Sequence, residues 1–182
     1  MVDFQKRDSH RGTESADDEG GSGGDPEARG HGDGDGHTHH GHDSPSPAEL
    51  GFAVLTISST RTLDDDASGD AIVAACETTG ASIEAREILP DDHDQIQESV
   101  DSLTEIPDVD VVVTTGGTGV TPDDVTIEAT RPLFDKTLPG FGELFRDLSY
   151  DEIGTRVVGT RAVAGVADGV PVFCLPGSEN AA

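Results

Sequence analysis

Two carboxylates, Asp123 and Asp124, follow a glycine-rich turn in the stretch "TTGGTGVTPDDVT". Glycines at 116, 117 and 119 can take positive φ and leave the main chain open to close approach. Thr115, Gly116, Gly117, Thr118 and Gly119 therefore offer backbone N–H groups to an anion. A third acid, Asp91, stands in "LPDD". Amides that cradle phosphate beside carboxylates that can hold magnesium suit phosphoryl chemistry. Two more loops carry hydroxyls or glycine: Ser58-Ser59-Thr60 and Pro176-Gly177-Ser178. Neither the Gly-Lys-Ser/Thr ending of a P-loop nor a G-x-G-x-x-G fingerprint is present. A glycine turn alone would serve equally as a tight strand-to-helix connection. The two acids have a local use as well. Thr121-Pro122-Asp123-Asp124 has the form of a helix start, with Thr at the N-cap, Pro at the first position and acids in the first turn. Thr126, with Glu128 behind it, is a second candidate cap. Capping is the better use for Asp123, and both uses stay open for Asp124.

The elements that must position these loops are readable from apolar patterning. "LGFAVLTIS" (50–58) predicts a first buried strand, ending in the hydroxyl loop. "SGDAIVAACETTG" places Ile72, Val73, Ala75 and Cys76 at helical spacing and stops at Gly80. "SIEAREIL" alternates as a second strand. "DDHDQIQESVDSL" predicts a helix with Ile96, Val100 and Leu103 on one face. "DVDVVVTT" predicts a third strand, buried over Val109–Val113, "TIEATRPLF" and "GELFRDLSYDEI" two further helices, and "VPVFCLP" a last strand. Strands alternating with helices imply an α/β fold of three layers, α/β/α, around a mostly parallel sheet. The glycine turn then falls at the carboxyl end of a buried strand, where open α/β sheets bind ligands.

Residues 1–47 read differently. They are rich in Gly, Asp, Ser and His, carry almost no apolar side chain after Phe4, and predict a disordered acidic tail. Within the tail, His31, His37, His39, His40 and His42 lie among three aspartates and could bind a divalent transition metal. The alternative is a solvated tail with no specific role. Residues 48–182 form the predicted folded domain. Cys76 and Cys174 are far apart in apolar stretches and suit buried free thiols in a reducing cytosol. No apolar run has the length of a membrane span, and the amino terminus lacks an apolar signal region, which points to a cytoplasmic chain with no membrane partner.

Charge separates two explanations of the acidic composition. The 182 residues carry a net charge of -26, with only Lys6 and Lys136 beside nine arginines. The first 47 residues hold eleven acids and four bases, so the remaining 26 acids and seven bases leave -19 on the folded part. Such a surface excludes nucleic-acid binding through phosphate neutralisation. It suits a salt-adapted, halophilic cytoplasm, because the Debye length falls to about 3 Å at 1 M salt and self-repulsion is screened. The melting temperature is therefore expected to rise from dilute buffer to molar potassium chloride. A flat or falling trend would remove the salt-adapted reading.

Several motifs in one order carry a resemblance. "TTGGTGVTPDDVTIEAT", "PGFGELFRDLSYDEIGT", "RAVAGV" and "FCLPGS" together resemble the MogA/MoaB family of molybdenum cofactor biosynthesis, over roughly 50–182. The resemblance implies a three-layer α/β fold, a homotrimer or higher homo-oligomer, and molybdopterin binding. It further implies a magnesium-dependent adenylyltransferase that joins AMP from ATP to the terminal phosphate of molybdopterin. The family's T-G-G-T-G loop falls on Thr115–Gly119, its following aspartate on Asp124, and the aspartate of its "P-D" loop on Asp91. Its hydroxyl loop falls on Ser58 and Ser59, and its Pro-Gly-Ser turn on Pro176, Gly177 and Ser178. The implied magnesium ligands are Asp91 and Asp124. In some MoaB-like members the aspartate at the position of Asp91 is missing; its presence here implies a working enzyme. A non-catalytic molybdopterin-binding protein and metal delivery through the histidine tail are the alternatives. Ile127 departs from the family's usual proline, which a first helical turn tolerates. The sequence ends at Ala182, where the resemblance expects a final helix to begin, so the domain is expected to lack it.

Overall fold

The computed structural model describes residues 46–178. The histidine cluster 31–42, the tail as a whole and the last four residues lie outside the described residues. Ten main elements follow one another. β1 (Gly51–Ile57), α1 (Ala67–Thr79), β2 (Ser82–Leu89), α2 (His93–Thr104) and β3 (Val111–Thr115) make up the first half. α3 (Thr126–Thr130), β4 (Lys136–Thr137), α4 (Pro139–Ile153), β5 (Val163–Ala167) and β6 (Val170–Leu175) make up the second.

The six strands form one sheet in the order β2-β1-β3-β6-β5-β4. β2, β1, β3 and β6 run parallel, and β5 is antiparallel to both β6 and β4. The fold is thus α/β with a mostly parallel sheet, as the alternating pattern predicts. β5 and β4 are the strands that patterning did not separate. β5 joins β6 through Asp168-Gly169, both at positive φ (52° and 86°), the backbone a tight hairpin turn requires.

Alternation along β1 divides the core. Ala53, Leu55 and Ile57 face one side with Ile96, Val100 and Leu103 of α2 and Ile127 of α3. Val54 faces the other side with Ile72 and Cys76 of α1 and Val113 of β3. α4 lies on the α1 side, where Phe141 meets Phe173 edge-on at 5.2 Å. Val73 is half-buried on α1, whereas Ala75 turns to solvent. Cys76 and Cys174 are free buried thiols, and burial pushes both thiol pKa values up, so neither is a ready nucleophile.

Caps set the helix ends. The Asp66 carboxylate accepts from Gly69 N at the start of α1, Gly80 closes that helix at φ 85°, and Asp92 accepts from Gln95 N to open α2. Two boundaries differ from expectation. β3 begins at Val111, because Asp110 uses its carboxylate and its N–H to bind the two main-chain groups of Gly51 (2.8 Å each). No helix starts at Pro122. The Asp124 carboxylate reaches back to Thr121 N (2.8 Å) and Thr121 Oγ1 (2.6 Å), closing a turn, and α3 begins only at Thr126. Thr126 is no side-chain cap; its hydroxyl donates to Gly116 O at 2.9 Å.

Candidate active site

α1 and α2 cover opposite faces of the sheet, so the connections leaving β1 and β3 diverge from neighbouring strands. Their carboxyl ends flank the switch point at which open α/β sheets bind ligands. A cleft of about 550 Å³ opens there. Ser58, Thr60 and Arg61 line it from the loop after β1, and Gly116, Gly117, Thr118, Gly119 and Asp124 from the segment after β3. Pro176, Gly177 and Ser178 close it after β6, with Gly159 and Thr160 ahead of β5.

The glycine turn is held rather than slack. Gly116 and Gly117 sit at φ 104° and 61°. Gly116 N donates to Leu175 O (3.0 Å), and Thr126 N donates to Gly117 O (3.0 Å). Thr115, fully buried, donates its hydroxyl to Pro176 O at 3.0 Å and so ties β3 to the last turn. The two turns are pressed together, since a Cβ on Gly177 would lie 3.0 Å from Gly116 Cα.

The candidate residues fall into two groups. Ser58, Gly116, Gly117, Thr118, Gly119, Asp124, Pro176, Gly177 and Ser178 all reach the cleft, whereas Thr115 supports it from behind. Ser59 and Asp91 are outside its lining and bound to each other. Asp91 Oδ2 accepts from Ser59 N (3.0 Å) and Ser59 Oγ (2.7 Å), and Asp91 N donates back to Ser59 Oγ (3.2 Å). Asp91 thus fixes the loop whose neighbours Ser58 and Thr60 face the cleft.

Asp124 is the acid of the site. Burial works to raise its pKa, but bonds from the Thr121 hydroxyl and amide and the Gly119 amide, with Arg161 nearby, outweigh burial and hold it below the usual carboxylate value. It also lines a second cleft of about 360 Å³, with Val120, Pro122, Val125, Glu128 and Arg161. One ionised carboxylate therefore borders two adjoining hollows. Among the described residues, no group of three or more His, Cys, Asp or Glu is placed to hold a metal. Magnesium needs only one or two carboxylates when phosphate oxygens complete its shell, and the Asp124 carboxylate on the cleft wall fits that demand.

Two arginines of the site escaped sequence reasoning. Arg61 follows the hydroxyl run directly, and that adjacency was the available signal. Arg161 had no local signal. Its Nε donates to Gly119 O (2.6 Å), its Nη2 to Asp124 O (2.9 Å), and its guanidinium pairs with Glu128. It thereby fastens the glycine turn and Asp124 to the strand that patterning missed.

An open, mostly parallel α/β sheet whose switch-point cleft is built from glycine turns, hydroxyls and one ionised carboxylate defines a binder of phosphorylated small molecules. Comparison with known proteins narrows the class. A family model described as a probable molybdopterin binding domain matches residues 53–182. The molybdenum cofactor biosynthesis protein B of Bacillus subtilis is 47% identical over 129 residues, covering 70% of this chain and 76% of its own. A crystal structure of molybdenum cofactor biosynthesis protein B superposes with a TM-score of 0.71 at 43% identity, over 75% of this chain and 85% of the other. The tungsten cofactor synthesizing protein MoaB of Pyrococcus furiosus gives 0.67 at 41% identity, over 76% and 87%. The chain belongs to the MogA/MoaB family of molybdenum cofactor biosynthesis proteins.

Proposed function

We propose that the chain transfers AMP from ATP to the terminal phosphate of molybdopterin. The observation that carries this reading is Asp124, ionised and shared by two adjoining clefts, with the glycine-turn amides beside it. A reaction between two polyanions needs two neighbouring pockets and a way to neutralise their charge. An oxygen of the pterin phosphate attacks the α-phosphorus of ATP, the bond from that phosphorus to the β-bridging oxygen breaks, and pyrophosphate leaves with the electron pair. The attacking phosphate is already an anion, so no general base is required. When bound, magnesium supplies charge neutralisation to the phosphates, with Asp124 as its ligand in the cleft and Asp91 as a further candidate. The glycine-turn amides orient phosphate oxygens, and Thr118 and Ser178 offer hydroxyls to them. The exposed apolar side chains Leu144, Leu148 and Val158 supply a surface for a homo-oligomer, proposed as a trimer or higher assembly.

Incubation with ATP, magnesium and molybdopterin is expected to release pyrophosphate and yield adenylylated pterin. Pterin binding without pyrophosphate release would leave a non-catalytic binding protein. The position of Asp91 favours that second reading, since Ser59 occupies one of its oxygens and it lies outside the cleft lining.

A further inference from the structure

We propose that Arg61 is the phosphate anchor of the cleft, its guanidinium ion-pairing with a phosphate group of bound substrate. The proposal rests on the reading of the cleft as a site for phosphorylated substrates. Among the described residues, Arg61 is the one Lys or Arg side chain lining the first cleft. A folded part with 26 acids against seven bases repels incoming polyanions, so a fixed cation at the mouth has a large task.

The side chain is held from behind and open in front. Nη1 donates to Ser68 Oγ, and Nη2 donates to Gly177 O at 3.0 Å. A guanidinium has five N–H donors, so three remain, on a side chain 32% exposed. Asp66, fully buried behind it, lies 3.8 Å from Nη1 and does not consume its charge. Arg86 already meets that demand, pairing with Asp66 at 3.1 Å and with Asp70 at 2.7 Å. Thr56 Oγ1 (2.8 Å) and Gly69 N (3.0 Å) complete the shell of Asp66. Burial pushes the Asp66 pKa up, but these partners more than offset it, so the carboxylate stays ionised. Ser68, fully buried between Asp66 and Arg61, is a positioning residue. Because Arg61 grips Gly177, and Gly177 is pressed on Gly116, the cation sits against the same turns whose amides face the cleft.

The anion is a phosphate ester, from the triphosphate of a nucleotide or the monophosphate of a pterin. Inorganic tripolyphosphate and phenyl phosphate separate these sources. Their dissociation constants would be measured by calorimetry at one fixed salt concentration, with circular dichroism recorded for every variant. Arg61→Gln keeps a donor for Gly177 and removes the charge; it is expected to weaken one or both probes at least tenfold. Arg61→Lys is expected to recover part of the loss, and Ser68→Ala to weaken binding a few-fold, with no added effect on top of Arg61→Gln. Selective loss of tripolyphosphate assigns the nucleotide, and selective loss of phenyl phosphate the pterin. Folded Arg61→Gln that binds both probes like wild type overturns the anchor, as does wild-type protein that binds neither. Should Arg61→Gln fail to fold, Arg61→Lys decides alone: full affinity joined to the loss of the Ser68→Ala effect supports the anchor, and an unchanged Ser68→Ala effect overturns it. Weakened probe binding in a wild type that forms no pyrophosphate supports the anchor and removes only the transfer reaction.

Discussion

Asp124→Asn is expected to slow adenylyl transfer about a hundredfold while the protein folds and binds pterin close to wild type. Losing one charged contact to the transition state is worth roughly 3 kcal/mol, which corresponds to about two powers of ten in rate. The geometry separates that loss from a structural one. Asp124 Oδ2 takes both the Thr121 amide and the Thr121 hydroxyl, and an asparagine oxygen can accept the same two bonds. The turn then persists and only the charge disappears. The pKa direction fixes the pH behaviour. Asp124 lies below the usual carboxylate value, so it stays charged down to at least about pH 4, and no loss of rate between pH 8 and 5 is assigned to it. Transfer assays under saturating ATP and molybdopterin, with pterin binding measured separately, check the outcome. Near-normal turnover would leave Asp124 as the closure of the Thr121 turn and nothing more. A parallel Asp91→Asn variant sharpens the contrast. If Asp91 acts by fixing Ser59, its loss raises KM more than it lowers kcat, because a displaced loop weakens ground-state and transition-state binding together.

The parts of the fold that were legible are those whose signal is local. β1, β2, β3 and β6 are apolar runs bounded by turn residues, and α2 carries Ile96, Val100 and Leu103 on one stripe, so pattern alone locates them. β5 carried a local signal that was available and unread: Asp168-Gly169 between two apolar stretches is the residue pair a tight hairpin prefers. β4, two residues long, is too short to show a period. The helix start at Thr121 failed for a different reason. Thr-Pro-Asp-Asp fits a first turn, but Asp124 has a closer partner in Thr121, and α3 is set instead by Thr126 binding Gly116 and Gly117. The site divides along the same line. Glycines, hydroxyls and Asp124 announce themselves through local turn chemistry. Arg61 meets Gly177 across 116 positions and Arg161 meets Gly119 across 42, so their roles exist only once the sheet has brought the turns together.

Gly116→Ala is expected to destabilise the protein by about 3 kcal/mol and to abolish high-affinity phosphate binding. Two independent penalties fall on this residue. Its φ of 104° lies where a side chain is strained, and a Cβ there would run into the carbonyl oxygen of Ile57. The residue cannot relax by moving. Its N–H is bonded to Leu175 O at 3.0 Å, and its carbonyl accepts the Thr126 hydroxyl at 2.9 Å. Relief therefore requires separating β3 from β6 or lifting α3, and either opens the cleft. Gly140→Ala provides the opposite case within the same protein. Nothing lies within 4 Å of a Cβ at Gly140, which sits in the first turn of α4 at an ordinary φ. That change should gain roughly 0.5 kcal/mol by restricting the unfolded chain. Denaturant titrations of both variants at one fixed salt concentration give the comparison, with tripolyphosphate binding as the second readout. If Gly116→Ala loses less than about 1 kcal/mol and still binds the anion, the turn accommodates a side chain, and its amides are not the rigid cradle on which the transfer reaction depends.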